Sequence, residues 1–231
     1  MQALAHHQRL ELIGTMTSGI AHEFNNMLTP IMGYSILSLE QVPAGNEQLM
    51  ENLIEIYDAS KRAKTLITRL ASLSRKNSGD TKRLFSPDKL SDKVLDMAQP
   101  SLPPLVSVAR DYHCAEECLF ADETQIGQLL LNLVINAFQA MEREGGTLTL
   151  STQLDEGTVL FRVGDTGPGI PPEVFPRLFD PFFTTKENGR GTGLGLAIAR
   201  QIAENHSGTI TVTSEAGQGT VFTVSLPARS E

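Results

Sequence analysis

Gly164-Asp165-Thr166-Gly167-Pro168-Gly169-Ile170 follows directly on the apolar run Val159-Leu160-Phe161-Arg162-Val163, so a predicted strand ends in an acid and two closely spaced glycines. Asp-x-Gly and Gly-Pro are ordinary turn spellings, and alone they describe a sharp loop. A carboxylate at such a place, with glycine backbone beside it, can also accept a hydrogen bond from a ligand. Its neighbours in the chain decide between the two readings.

Upstream, Asp122 can cap a helix whose run from Gln125 to Phe138 is strongly apolar apart from Gln128, Asn132 and Asn136. These three are successive i, i+4 neighbours and form one polar stripe. Amides buried without partners cost free energy, so they either hydrogen-bond internally or line a site, and asparagine oxygens are hard ligands of the kind magnesium accepts beside substrate phosphates. Downstream, Leu178-Phe179-Asp180-Pro181-Phe182-Phe183 ends in the polar Thr184-Thr185-Lys186, which reads as a hinge whose lysine can reach a phosphate. Then Asn188-Gly189-Arg190-Gly191-Thr192-Gly193-Leu194-Gly195-Leu196 leads into a helix through Ile202 that ends near Gly208. Alternating glycines let backbone N–H groups approach oxyanions, and the helix N-terminus adds a favourable dipole. The run is neither the dinucleotide fingerprint, because no strand immediately precedes it, nor a Walker loop, which needs Gly-Lys-Ser/Thr.

Further strands are predicted over residues 105–108, 118–121 and 147–152, and a closing hairpin over 209–212 and 220–224 around Gly217-Gln218-Gly219. Phe85-Ser86-Pro87-Asp88 opens a helix to about Ala98. Lys76-Asn77-Ser78-Gly79-Asp80 has linker composition, which sets a helical domain over 1–76, a linker over 77–87 and an α/β domain over 88–228.

In the first of these, Leu12, Met16, Ile20, Phe24, Met27, Ile31 and Tyr34 recur at helical spacing, with Pro30 expected to bend the helix. After the turn residues 41–46, a second helix carries Leu49, Leu53, Ile56, Ala63, Leu66, Ile67 and Leu70. The pair reads as an antiparallel hairpin. Two helices bury only a narrow seam, so a dimeric four-helix bundle is the economical way to cover the remaining apolar flank. At about 100° per residue His22 points away from the stripe, Asn26 lies one turn later on the same outward face, and Glu23 sits between His22 and the seam. A solvated helix face is the plain reading of these three residues, and a surface group acting together is the alternative.

The chain has 231 residues, 40% hydrophobic and 20% charged, with a net charge of −8 and no long basic run. That composition suits a globular protein and argues against a generic nucleic-acid binder. Cys114 and Cys118 have no second Cys or His pair to complete a zinc site and read as reduced, incidental thiols. No apolar run approaches a membrane span, and the N-terminus lacks a signal peptide's apolar core, so a cytoplasmic location is expected.

Taken in order, these stretches resemble the transmitter core of the bacterial sensor histidine kinases over nearly the whole chain. Asn132 and Asn136 match the family's asparagine box, Asp165 to Gly169 its first glycine box, Phe179 to Lys186 its phenylalanine box, Gly191 to Leu196 its second glycine box, and Gly219-Thr220 the final one. The resemblance implies the Bergerat-type α+β ATP-binding sandwich of the gyrase and Hsp90 group, a mixed sheet with helices on one face. It implies ATP bound by Asn132, Asn136, Asp165, Gly167, Gly169, Lys186, Gly191, Gly193, Leu194, Gly195 and Thr220, with Asp165 on the adenine amino group and Asn136 on Mg2+. It makes His22 the phosphoryl acceptor, Glu23 its carboxylate partner, and Asn26 the amide that positions water against a phosphorylated aspartate. The implied partners are a second copy of the chain, a response-regulator receiver domain and an upstream sensor domain outside this sequence.

Asn132 occupies the place where gyrase-like ATPases carry a glutamate, and an amide cannot act as a general base, which favours transfer over hydrolysis. Two other readings are a nucleotide-responsive interaction module without phosphoryl transfer, and an ATPase or serine kinase on the same fold.

Overall fold

The computed structural model describes residues 24, 26–43, 45–72, 82–116, 118–185 and 193–228. They belong to two compact units, Met1–Lys76 and Asn77–Glu231.

The first unit is helical. Helix α1 covers residues 26–39 and continues through Pro30, and α2 is Glu47–Ser72. The turn between them closes with the Asn46 N–H donating to Pro43 O at 3.2 Å, and Asn46 then caps α2 by accepting from the Leu49 N–H at 3.3 Å. Among the described residues of this unit the most buried positions are Ser35 and Ser60, with the half-buried Leu28, Met32 and Leu39 on α1 and Leu53, Tyr57 and Ala63 on α2. Each serine hydroxyl donates to the carbonyl four residues back, Ser35 to Ile31 and Ser60 to Ile56, both at 2.8 Å, so neither is an unsatisfied polar group. The stripe that dominates the sequence behaves otherwise. Phe24, Met27, Ile31 and Tyr34 are all exposed, Tyr34 by 70%, and Leu49, Met50, Ile54 and Ile56 are exposed on α2.

The second unit runs β1 (Arg83–Phe85), α3 (Pro87–Ala98), β2 (Val106–His113), β3 (Leu119–Ala121), α4 (Glu123–Ala140), β4 (Gly146–Asp155), β5 (Thr158–Asp165), α5 (Gly195–Asn205), β6 (Thr209–Ser214) and β7 (Thr220–Pro227). Strands β1 and β3 form a small antiparallel pair. The other five make one mixed sheet in the order β2-β4-β5-β7-β6, with β2 parallel to β4 and every other pair antiparallel. Residues 83–85, assigned to a linker by composition, are therefore a strand of this unit. Three residues are too few to display an alternation, and Phe85 is buried. Strand β2 also reaches His113, well past the apolar residues that announced it.

Side chains alternate strictly along β5: Val159, Phe161, Val163 and Asp165 face inward. On β7 the inward set is Thr220, Phe222, Val224 and Leu226. Helix α4 lies over β5 between α3 and α5. Its Ile126, Leu129, Leu130, Leu133 and Val134 are fully buried, each contributing about 1.5–3 kcal/mol to the core. Asp122 starts α4 by accepting from the Thr124 and Gln125 N–H groups at 3.0 and 3.2 Å. The Asp122 N–H donates to His206 Nε2 at 3.2 Å, which leaves the His206 Nδ1 proton for Ile202 O at 2.9 Å and ties the start of α4 to the end of α5. No helix among the described residues is long and apolar enough to cross a membrane.

Candidate functional site

Asp165 is the last inward-facing residue of β5, so a row of core side chains ends in a carboxylate. The residue is 9% exposed. Burial pushes its carboxyl above the usual aspartate range, and N–H groups of Gly167 and Thr220 pull it partly back, Gly167 donating to Oδ1 at 2.9 Å. Strand register sets Leu148 of β4 and Thr220 of β7 on either side of Asp165, and Ser214 of β6 beside Thr220. Asp165 and Thr220 thus form an inward-facing pair at one end of the sheet.

Two loops beyond that end are stitched together. The Gly217 N–H donates to Pro168 O at 2.8 Å, and the Ile170 N–H donates to Ser214 Oγ at 2.8 Å. Glycine is required at the closest approaches. Gly169 (φ 73°) lies against Glu215 O, and Gly219 (φ 88°) against Asp165 O, so a Cβ at either would collide with backbone.

Across from this pair, Asn132 is buried, accepts from Gln128 Nε2 at 3.1 Å, and donates through Nδ2 to Gly195 O at 3.3 Å. It fastens α4 to the start of α5. Asn136, one turn on and half-buried, places its Nδ2 3.8 Å from the point a Cβ on Gly195 would occupy. Helix α5 begins at Gly195 after the buried Leu194 and has no side-chain cap. Gly193 (φ 63°) accepts from the Phe182 N–H at 2.9 Å. The phenylalanine segment is anchored by Phe179, edge-on to Phe222 at 6.5 Å with Arg200 stacked over it at 5.7 Å, while Phe182 is 57% exposed. A buried acceptor at one end, amide groups along α4 and the start of α5 at the other make a site suited to a ligand with a donor-bearing ring and an anionic tail.

The family model for the histidine kinase-, DNA gyrase B- and HSP90-like ATPases matches residues 121–230, and that for the His Kinase A (phospho-acceptor) domain matches residues 12–79. The chain belongs to the sensor histidine kinases. Among relatives, it is 37% identical over 224 residues to the sensory histidine kinase/phosphatase NtrB of Klebsiella oxytoca, covering 93% of this chain and 62% of that one. The structure of full-length ShkA with AMPPNP aligns over 94% of this chain and 46% of that one, with a TM-score of 0.77 and 26% identity. Histidine kinase ThkA in complex with the response regulator TrrA aligns over 97% and 64%, with a TM-score of 0.66 and 26% identity. The chain spans 25% and 62% of the length of two of the curated relatives it matches.

Of the residues singled out in this histidine kinase by sequence, the second unit brings Asp165, Gly167, Gly169 and Thr220 together at one end of the sheet, and Asn132, Asn136, Leu194 and Gly195 together where α4 meets α5. Asn26 is exposed on α1. His22, Glu23, Lys186 and Gly191 lie outside the described residues. Sequence reasoning missed Ser214, whose hydroxyl meets Ile170 N, Gly219 O and Thr220 Oγ1; its one signal is a serine closing a strand just before a glycine turn. Cys114 and Cys118 are free thiols with sulfurs 2.9 Å apart, and burial raises the Cys114 thiol to about 12.

Proposed function

We propose that this transmitter core binds ATP, phosphorylates itself on His22 and passes the phosphoryl group to an aspartate of a response-regulator receiver domain. The observation that carries this reading is the inward-facing pair of Asp165 and Thr220 at one end of the sheet, a buried acceptor pair matched to the amino group of adenine. The phosphates would then run toward the start of α5, with Gly193 and Gly195 allowing close backbone approach and Lys186 and Gly191 completing the phosphate site. Asn132 acts by holding Gly195 through its amide. The AMPPNP complex of the related ShkA supports a nucleotide as the ligand.

Magnesium fits as a shared ligand of the protein and the nucleotide. No cluster of three or more His, Cys, Asp or Glu residues among the described ones could hold a metal. A single amide oxygen, that of Asn136, together with phosphate oxygens and water is the kind of shell Mg2+ accepts. Bound there, the ion would neutralise charge on the transferred group.

In the transfer, a ring nitrogen of neutral His22 attacks the γ-phosphorus, the bond to the bridging β-γ oxygen breaks, and ADP leaves. Glu23 fixes the tautomer through the other ring nitrogen and offsets the positive charge that develops on the imidazole. The receiver aspartate then attacks phosphorus, the N–P bond breaks and His22 is regenerated. Asn26 would position water to hydrolyse that aspartyl phosphate, the second activity for which the related histidine kinase/phosphatase NtrB is named. The ThkA complex with its response regulator supports a receiver as partner. Residues 1–76 carry the acceptor and the dimer contact, and the unit that β1 opens at Arg83 binds the nucleotide. Two chains pair through the exposed apolar face of α1 and α2 as a four-helix bundle.

Incubation with labelled magnesium ATP tests the proposal. The expected label is acid-labile and base-stable, and His22→Gln abolishes it while ATP still binds. A label that persists in that variant overturns His22 as the acceptor.

A further inference from the structure

The Ser214 hydroxyl makes three contacts at the junction of β6, β7 and the loop after β5. The Ile170 N–H points to it at 2.8 Å, Gly219 O lies 2.7 Å away, and Thr220 Oγ1 lies 3.0 Å away. A serine hydroxyl has one proton and two lone pairs. Ile170 N–H can only donate, so it occupies one lone pair. Gly219 O can only accept, so it takes the proton. The contact with Thr220 is then fixed in direction: Thr220 donates its hydroxyl proton to the second lone pair of Ser214.

We infer that Ser214 is a positioning residue for base selection, holding the Thr220 proton away from the base site so that Thr220 offers only lone pairs beside the Asp165 carboxylate. The inference rests on the assignment of that site to a purine nucleotide. Two acceptors side by side suit a purine carrying an amino group at C6, directly or through a water whose protons both point inward. A purine with a keto oxygen at C6 presents a third acceptor, and neither Asp165 nor Thr220 offers it a proton. Without Ser214, the Thr220 hydroxyl is free to rotate and donate to that oxygen. Asp165 supplies the charge, and Ser214 removes a donor that would blunt its selectivity.

The test is the affinity of the whole chain for ATP and for inosine triphosphate, which carries a keto group at C6 and a proton on N1 where ATP has an amino group and a bare nitrogen; the Ser214 effect is read as a change in this ratio between variants. Wild type is expected to favour ATP. In Ser214→Ala the preference shrinks by about three- to tenfold, the worth of one oriented hydrogen bond. Ser214→Thr, which keeps the hydroxyl, restores it. In a Thr220→Val background the Ser214→Ala change no longer alters the preference, because there is no hydroxyl left to orient. If Ser214→Ala weakens both nucleotides equally, or if its effect on the ratio survives in Thr220→Val, Ser214 only tethers the loops and the inference is overturned. Failure of the underlying site assignment reads differently: wild type would then bind neither nucleotide, or bind ATP equally well after Asp165→Asn.

Discussion

Asp165 keeps a carboxylate where the fold would be more stable with a neutral group. Its carboxyl is raised above the usual aspartate range by burial, so the native state holds its proton more tightly than the unfolded chain does. The stability this confers is present at low pH and is lost as pH rises from the ordinary aspartate range through the raised value. Asp165→Asn is therefore expected to raise the melting temperature of the nucleotide-free protein at pH 7.5 and, in the same variant, to weaken ATP binding at least about tenfold. Wild-type affinity for ATP should also begin to fall on acidification at a higher pH than an ordinary carboxylate would give, as calorimetric titration across pH can measure. A variant that lost stability at pH 7.5, or kept its affinity, would contradict this account. At this scale much was legible in the sequence, since Asp165, Asn132, Asn136 and the glycines carry their chemistry in their spelling. Ser214 was not, because a serine at a strand end resembles any solvated serine until strand register sets it beside Thr220.

The turn between β6 and β7 contains two glycines that look equivalent on paper. Gly217 (φ 80°) has open space around the position of an added Cβ, whereas a Cβ on Gly219 (φ 88°) would run into the Asp165 carbonyl. Gly217→Ala should cost about 1 kcal/mol for the left-handed backbone and leave ATP binding intact. Gly219→Ala should cost at least about 2 kcal/mol and part β5 from β7 at Asp165, with loss of ATP binding. Chemical denaturation and nucleotide titration of the two variants separate these outcomes, and equal losses would refute the close approach. The central elements were readable from their periodicity, notably α4 and β5. Strand β1 and the far half of β2 were not. The first is three residues long, and Arg110 and Asp111 in the second are exposed, so pairing with β4 rather than side-chain pattern makes them a strand.

For the molecule as a whole, the apolar face of the helical unit has to be covered. Ile31 is 43% exposed near the middle of that face on α1. Ile31→Glu should raise the dimer dissociation constant at least about thirtyfold, visible by light scattering, while ATP affinity is unchanged. A dimer of undiminished strength would move the interface elsewhere. The stripe from Phe24 to Tyr34, more apolar than a two-helix hairpin needs, is what led to the expectation of a dimeric bundle, and its exposure in this structure leaves the face that such pairing would cover. What the stripe did not reveal is that the hairpin's own seam centres on two serines. In the α/β unit, the two ends of β5 differ in their freedom to change length. At one end the turn Glu156-Gly157 has nothing near an added Cβ on Gly157, is met on its backbone by the Ala228 N–H donating to Gly157 O at 2.8 Å, and lies eight strand residues from Asp165. At the other, the Gly217 N–H and the Ser214 hydroxyl bind the β6–β7 turn to the loop after β5. Extra residues, a fluorescent reporter or a permuted terminus can therefore be grafted at 156–157, whereas 215–219 has a fixed length that any graft would break.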